Sequence, residues 1–216
     1  MSVPDTAPGP VAATRLDNCL LVRDAVPEDY PAIREVLLAA YGQYAYLIAR
    51  DVFEPYLADL LDLDKHARDG RWLVVEADGQ IAGSGAIYPD ASVQGVGWPP
   101  GWASGRGLAV HPAVRGRGVA RALLAAIECL AEDSGAPVFA FHTASFMTSA
   151  VALYEQLGYR RAPEFDFNMA AHYSPSTAPI HSLALPLTPR RQRLRVRLLK
   201  PRKSPARLWR ARTKKR

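Results

Sequence analysis

The feature that most constrains this chain is a stretch at residues 108–124 that joins a short apolar run, a basic glycine loop and a helical pattern. The run Leu108-Ala109-Val110 is typical of a buried strand. Pro112 ends that strand, because proline donates no hydrogen bond to a neighbouring strand. The helix predicted directly after the loop carries apolar residues on one face, at spacings of three and four: Ala120, Leu123, Leu124, Ile127, Leu130 and Ala131.

The loop Arg115-Gly116-Arg117-Gly118 has the composition of an anion-binding site. The first turn of a helix leaves N–H groups unpaired and carries the positive end of the helix dipole, and a phosphate satisfies both. Glycine lets the backbone approach a ligand closely, and arginine binds phosphate through parallel hydrogen bonds. Neither familiar nucleotide loop fits, since a Gly-Lys-Ser/Thr ending is missing and Arg121 replaces the third glycine of a dinucleotide fingerprint.

The segment Arg115-Gly116-Arg117-Gly118-Val119-Ala120 resembles the Arg/Gln-x-x-Gly-x-Gly/Ala signature of the GNAT family of acetyl-CoA-dependent N-acyltransferases. The resemblance implies that the loop amides hold the pyrophosphate of coenzyme A and that acetyl-CoA is the acyl donor. It also implies a backbone N–H near Ala109 or Val110 that polarises the acetyl carbonyl. The cofactor-binding residues that it implies are Leu108, Ala109, Val110, Arg115, Gly116, Arg117, Gly118, Val119 and Ala120.

A second motif, Leu153-Tyr154-Glu155-Gln156-Leu157-Gly158-Tyr159, resembles the LYExLGF helix ending of the same family. The resemblance implies that Tyr154 is the catalytic acid, which protonates the departing thiolate. Read without the family, Tyr154 is a core aromatic residue whose hydroxyl finds a partner.

The order of predicted elements is a strand, two helices, three strands, a helix, a strand, a helix and two strands. This order predicts an α/β (α+β) fold with a mixed, mostly antiparallel, GNAT-like sheet flanked by helices. Asp78-Gly79 predicts a hairpin turn, and the resemblance implies that the fourth and fifth strands splay apart around the pantetheine arm. The predicted strands lie near residues 19–23, 72–76, 80–88, 108–110, 138–141, 164–167 and 180–187, and the helices near 26–41, 52–61, 119–131 and 148–157.

A general base is harder to identify, because residues 101–110 contain no carboxylate where many relatives have a glutamate. The polar residues there are Ser104 and Arg106. The alternatives are that water carries the proton or that the acceptor amine has a low pKa. The substitutes elsewhere in the chain are Glu76, Asp90, His111 and His142.

Two further expectations concern the ligands. Met147 occupies the position where relatives have a cofactor-binding Asn, and Thr148 or Ser149 is a replacement for it. The acceptor amine is expected beside the tyrosine-rich link at residues 41–46 and the Gly/Pro/Trp loop at 95–101. No metal site is predicted.

Charge is strongly segregated along the chain of 216 residues, whose net charge is +6. Residues 188–216 hold 14 Lys and Arg and no acidic residue, whereas residues 1–187 hold 13 basic and 21 acidic residues, a net charge of −8. We therefore expect a flexible arm at 1–18, a GNAT domain at 19–187 and a basic, disordered tail at 188–216 that contacts polyanions or anionic membrane surfaces. The absence of a signal or transmembrane pattern, and two cysteines without motif spacing, predict a cytoplasmic protein.

Together these features predict an enzyme that transfers an acetyl group from acetyl-CoA to a primary amine of a small molecule or peptide. The alternative is a non-catalytic acyl-CoA-binding module that its basic tail tethers to polyanions or a membrane surface. The missing strand glutamate motivates that alternative.

Overall fold

The computed structural model describes residues 20–168 and 179–187, so the expected arm at 1–18, Cys19 and the basic tail lie outside the described residues. The helices are α1 Tyr30–Tyr41, α2 Arg50–Leu61, α3 Leu63–His66, α4 Val119–Asp133 and α5 Thr148–Gln156. The strands are β1 Leu21–Asp24, β2 Arg71–Ala77, β3 Gln80–Tyr88, β4 Ala103–Val110, β5 Val138–Ala144, β6 Arg160–Arg161, β7 Phe167–Asn168 and β8 Pro179–Pro186.

The strands form one mixed sheet within the described part of the chain. Their order is β1-β2-β3-β4-β5-β8-β6, and β7 also pairs with β8. Neighbouring strands are antiparallel except for β4 and β5, which are parallel. The predicted fold class is confirmed.

Helices cover both faces of the sheet, as the apolar sequence of β2 requires. Leu73 and Val75 face the core beneath α4, while Trp72 and Val74 face the core beneath α1. The predicted stripe of α4 is largely correct, because four of its members are fully buried, whereas Ala120 and Leu130 are only partly buried. The four are Leu123, Leu124, Ile127 and Ala131.

A buried ion cluster fixes the start of the domain. The Arg23 guanidinium donates to Asp29 Oδ2 at 2.6 Å and to Glu76 Oε1 at 2.7 Å, and all three side chains are at least 95% buried. The cluster joins β1, β2 and the turn before α1. Glu76 is therefore paired with the Arg23 guanidinium, and it does not line the cleft described below.

Strands β4 and β5 diverge, which opens the middle of the sheet. They pair only at Ala103–Phe139 and Ser104–Ala140, so β5 leaves the rest of the β4 edge uncovered. This separation agrees with the splay that the family resemblance implies.

A β-bulge re-aims β4 where the strands separate. Ser84 pairs with Ala109 while Ala86 pairs with Arg106, so β4 has one residue more than β3. Gly107 in the bulge has φ of 64°, and a Cβ there would lie 2.9 Å from the Trp72 ring. Only glycine fits this position, which the sequence analysis did not single out.

Some predicted boundaries were wrong. Strand β4 begins at Ala103 rather than 108, because tertiary pairing overrides the low strand preference of its glycines. The predicted end of α1 at residue 41 is correct, since Gly42 caps the helix with φ of −56° before a 3-10 turn begins. Residues 163–165 form a 3-10 turn instead of a strand, and α3 was not predicted.

Candidate functional site

A cleft of about 920 Å³ lies where β4 and β5 separate. One wall is the edge of β4 with the loop before α4, and the opposite wall is β5 with α5. Helices α1, α2 and α3 close one end with polar side chains. We name its two halves after the ligands that the sequence analysis expects: the donor half is the backbone-rich part beside α4, and the acceptor half is the side-chain-rich part beside α2 and α3.

The edge of β4 presents backbone groups to the donor half. The N–H of His111 donates to the Ala82 carbonyl of β3 at 2.9 Å. Consecutive N–H groups of a strand point to opposite edges, so the N–H of Val110 points towards the open edge while that of Ala109 points towards β3. The Leu108 carbonyl also faces the cleft, where Tyr41 Oη donates to it at 3.4 Å. All three predicted residues line the cleft.

The basic glycine loop leads directly into α4, a helix of 15 residues. Gly116 and Gly118 have φ of 79° and 84°, values that favour glycine. No atom lies within 4 Å of a Cβ built on Gly116, and only the tip of Leu20, at 3.9 Å, approaches one on Gly118. The loop, Val119 and Ala120 thus form an open cradle at a helix N-terminus, which fits a phosphate group.

The arginines of this region differ in orientation. Arg115 lines the cleft and donates to Gln43 Oε1 at 3.1 Å. The Arg117 side chain pairs with Asp78 Oδ2 at 3.1 Å in the β2–β3 turn, so it points away from the cleft wall. Arg121 lines the cleft instead and donates to Gln156 Oε1 of α5 at 2.7 Å. Arg121, which the sequence analysis used only to exclude a dinucleotide loop, is therefore a candidate phosphate contact.

Tyr154 lies on the α5 wall of the cleft and is 7% exposed. Its ring packs against Phe141 with centroids 4.3 Å apart. Burial, followed by the nearby hydroxyls of Tyr44 and Tyr56, raises the pKa of Tyr154 above its ordinary value. The phenol therefore keeps its proton at neutral pH and can serve as a donor at this wall.

Met147 stands at the N-terminus of α5 and lines the cleft. Thr143 Oγ1 contacts its sulfur at 3.7 Å. Of the two replacements that the sequence suggested for the cofactor-binding Asn, Ser149 lines the cleft and Thr148 does not.

The candidate bases differ in whether they line the cleft. Asp90 accepts from Ser92 and His111 from the Ala113 N–H, and neither lines the cleft. His142 lines the cleft but stacks on Trp98 with centroids 4.3 Å apart. Of the two polar residues on β4, Arg106 lines the cleft, whereas Ser104 is buried and does not.

The acceptor half contains a polar cluster in which Ser104 and Arg106 of β4 meet side chains that the sequence analysis missed. Ser104 Oγ donates to Gln94 Oε1 at 2.5 Å. Arg106 forms an ion pair with Asp59 of α2. Lys65 Nζ lies 2.5 Å from Asp59 Oδ1.

His66 of α3 completes this cluster. Its Nδ1 lies 2.7 Å from Tyr88 Oη, and its Nε2 lies 2.9 Å from the Asp59 carbonyl. A sequence signal for α3 was available in Asp62, whose side chain accepts from the Lys65 N–H at the start of the helix, but the sequence analysis did not use it.

Charge and burial set the protonation of these groups. Burial would raise the pKa of Asp59, but Arg106 and Lys65 outweigh it and hold the pKa below its ordinary value. Burial and the Arg106 charge lower the pKa of His66. Asp59 is therefore a carboxylate and His66 a neutral imidazole at neutral pH.

The two segments expected beside the acceptor contribute unequally. Tyr41 and Tyr44 line the cleft, whereas Tyr46 is 83% exposed and does not. Of the predicted loop only Val96 lines the cleft, while Trp98 packs behind it against Trp102 with centroids 6.1 Å apart.

Two negative observations apply to residues 20–168 and 179–187. No helix there is both long enough and apolar enough to cross a bilayer. No group of His, Cys, Asp or Glu in the same ranges is arranged to hold a metal ion.

Comparison with known proteins gives a consistent result. The model of the Acetyltransferase (GNAT) family matches residues 31–159, more than half of the chain. The uncharacterized N-acetyltransferase YjgM of Escherichia coli (strain K12) is 28% identical over 141 residues, which cover 64% of this chain and 81% of YjgM.

Solved structures share the fold. The ribosomal-protein-S18-alanine N-acetyltransferase of Escherichia coli superposes with a TM-score of 0.54 at 17% identity, covering 82% of this chain and 99% of that protein. The acetyltransferase yncA of Salmonella typhimurium, solved with acetyl-CoA, gives a TM-score of 0.53 at 19% identity, covering 81% of this chain and 97% of that protein.

Proposed function

The chain belongs to the GNAT acetyltransferase family, and from that premise we propose that it transfers the acetyl group of acetyl-CoA to a primary amine of a small molecule or peptide. Acetyl transfer from acetyl-CoA is the activity of the family. The amine acceptor is the proposal. The observation that carries it is a single cleft with backbone donors on one wall and ionisable side chains at the other end.

The donor half fits coenzyme A. The cradle at Gly116 and Gly118 has the space and the unpaired helix N–H groups that a pyrophosphate needs. Arg115 and Arg121 stand beside it and supply positive charge. The open edge of β4 offers hydrogen-bonding groups to the amides of a pantetheine arm.

Different groups of the cleft serve different steps of the proposed acetyl transfer. Acetyl-CoA supplies an activated acetyl thioester. The Val110 N–H points into the donor half, where it can stabilise the carbonyl oxygen as that oxygen gains negative charge. Tyr154 donates its proton to the sulfur that leaves. The backbone of Leu108 and Ala109 continues β4 up to Val110 and so orients the Val110 N–H.

The acceptor half suits a cationic amine. Asp59 and Asp69 are the carboxylates of this end of the cleft, and the lowered pKa of Asp59 keeps that group charged. A carboxylate accepts hydrogen bonds from an ammonium group, and such charge-assisted bonds are stronger than neutral ones. The rings of Tyr41 and Tyr56, with centroids 6.1 Å apart, provide an apolar wall next to it.

Calorimetry with acetyl-CoA, followed by a thiol-release assay, tests the function. The assay uses a panel of free L-amino acids, polyamines and short peptides. We expect saturable binding of acetyl-CoA and turnover with at least one amine. If acetyl-CoA does not bind at millimolar concentration, both the cradle assignment and the function are wrong.

The same assay decides the non-catalytic alternative, which the comparisons do not support. Turnover with any amine rejects a pure acyl-CoA-binding module. Tight binding of acetyl-CoA without thiol release across the whole panel would favour it.

A further inference from the structure

We propose that Tyr88 and His66 form the proton relay that deprotonates the acceptor amine, in place of the carboxylate missing from β4. This inference rests on the proposed amine acetylation. It concerns the acceptor half of the cleft, which both side chains line.

The hydrogen bonds of His66 determine its tautomer. Its Nε2 lies 2.9 Å from the Asp59 carbonyl oxygen, which can only accept, so Nε2 carries the ring proton of the neutral imidazole. Nδ1 therefore has a lone pair, and it accepts from Tyr88 Oη at 2.7 Å. The pair is set to pass a proton from the phenol to the imidazole.

A second hydrogen bond orients the Tyr88 hydroxyl. Ser104 Oγ donates to Gln94 Oε1, so the amide NH₂ of Gln94 is the group left for Tyr88, with which Gln94 also interacts. Tyr88 Oη thus receives one hydrogen bond from Gln94 and donates one to His66. Its second lone pair is available to take a proton from an amine in the cleft.

The position of Tyr88 is appropriate for this role. Tyr88 pairs with Ser104 and Ala86 pairs with Arg106 across β3 and β4, so these side chains share the face covered by α1 and α2. Ser104 is one of the two polar residues on the strand where relatives have their glutamate. The relay therefore reaches the same region from the neighbouring strand.

Four charged groups surround the pair. Asp59 of α2 and Arg106 of β4 act on both side chains, Lys65 of α3 acts on His66, and Asp69 of the following turn acts on Tyr88. Burial and Arg106 lower the pKa of His66, which leaves the imidazole neutral and able to accept at pH 7. Burial raises the pKa of Tyr88 to about 12, so the phenol holds a proton to pass on.

Deprotonation of the amine precedes its attack on the thioester. The ammonium gives a proton to Tyr88 Oη as the Tyr88 proton moves to His66 Nδ1. The amine lone pair then forms the C–N bond with the acetyl carbonyl carbon, and the C–S bond breaks with its electron pair on sulfur. Tyr154 protonates the thiolate and recovers a proton from the new amide nitrogen. His66 releases its proton to solvent, so the net yield is one proton, the acetylated amine and free coenzyme A.

Asp59 is a poorer base than this pair. Its carboxylate binds Arg106 and Lys65, and these charges stabilise the ionised form. A base that is stabilised in its charged form has little tendency to take a proton.

The pH dependence of kcat/KM separates this relay from a structural role, measured with the best amine of the panel. Only about 0.1% of an amine with a pKa near 10 is neutral at pH 7, so a relay-free enzyme gains tenfold in kcat/KM per pH unit. We expect wild type to be nearly flat between pH 7 and 9, and to lose activity as His66 protonates below its ordinary pKa of about 6.5.

Tyr88→Phe should convert the flat profile into the rising one. We expect kcat/KM to fall about 1,000-fold at pH 7, three pH units below an amine pKa near 10, and to approach wild type near pH 10. Tyr30→Phe, a hydroxyl outside the cleft on α1, is the matched control and should keep the flat profile. Acetyl-CoA affinity should remain unchanged in both variants.

Other results would overturn the relay. A wild-type kcat/KM that already rises tenfold per pH unit between 7 and 9 contradicts it without any variant, so the test survives a Tyr88→Phe protein that fails to fold. A flat profile in folded Tyr88→Phe, or an equal loss at every pH, also contradicts it. No wild-type turnover with any amine would instead refute the proposed function.

Discussion

The two halves of the cleft are built in different ways. The donor half comes from one continuous segment, the end of β4 and the start of α4, and it offers mainly backbone groups at Val110, Gly116 and Gly118. The acceptor half comes from α2, α3, β3 and β4 and offers side chains. A backbone site depends on local conformation, whereas a side-chain site depends on how distant elements pack. Substitutions in the donor half should therefore change acetyl-CoA binding, whereas substitutions in the acceptor half should change KM for the amine.

The largest expected effect is on the donor half. Gly118→Val places a side chain in the proposed phosphate cradle at φ of 84°, so acetyl-CoA binding should weaken more than about 100-fold in calorimetry. Backbone strain alone costs about 1–3 kcal/mol of folding stability.

Gly135→Val is the matched control, because Gly135 lies just beyond the other end of α4 with φ of 80° and open space around its Cβ position. It should lower the melting temperature to a similar extent but bind acetyl-CoA normally. Equal loss of binding in both variants would mean that strain, rather than the cradle, explains the effect.

Tyr154→Phe should affect catalysis more than binding. The variant keeps the ring contact with Phe141 but has no proton for the thiolate, so we expect kcat to fall about 10–100-fold with little change in acetyl-CoA affinity. Tyr159→Phe is the control, since Tyr159 packs on the same Phe141 while its hydroxyl donates to Glu128 at 2.6 Å. It should cost stability without slowing turnover. Unchanged kcat in Tyr154→Phe would assign Tyr154 to the core alone.

Asp59→Asn should affect the acceptor half alone. Loss of its charge should raise KM for a cationic amine about tenfold, because a charge-assisted hydrogen bond becomes a neutral one. Acetyl-CoA affinity should stay the same. Asp64→Asn on the exposed surface of α3, with a side chain 76% exposed, is the control and should leave KM unchanged. A weaker acetyl-CoA affinity in Asp59→Asn would show that the two halves are coupled.

Removal of residues 188–216 should have the smallest effect on either half. Leu187 is anchored by its N–H, which donates to the Pro137 carbonyl at 2.8 Å, so truncation after it leaves the described sheet complete. Folding and acetyl-CoA binding should be nearly unchanged. We propose that retention on heparin or anionic vesicles is lost, and that in the full chain it weakens steeply with salt. An unfolded truncated protein would contradict the proposed boundary.

The sequence determined the fold class and the donor half. The strand–loop–helix pattern, the Asp78-Gly79 turn and the motif around Tyr154 are local signals, because short-range geometry restricts which residues can occupy them. Asp78 and Gly79 indeed have φ of 53° and 75°. The direction of the Arg117 side chain could not be predicted in this way, because its partner Asp78 lies in another turn.

Only the tertiary structure decided the acceptor half. Asp59, His66, Tyr88 and Arg106 are separated along the chain, and no spacing between them marks a site. They meet because α2 and α3 pack over the same sheet face on which β3 and β4 place Tyr88 and Arg106. Side chains brought together by long-range packing leave no periodic pattern in the sequence, and so the end of the cleft that we propose to bind the acceptor emerged only with the fold.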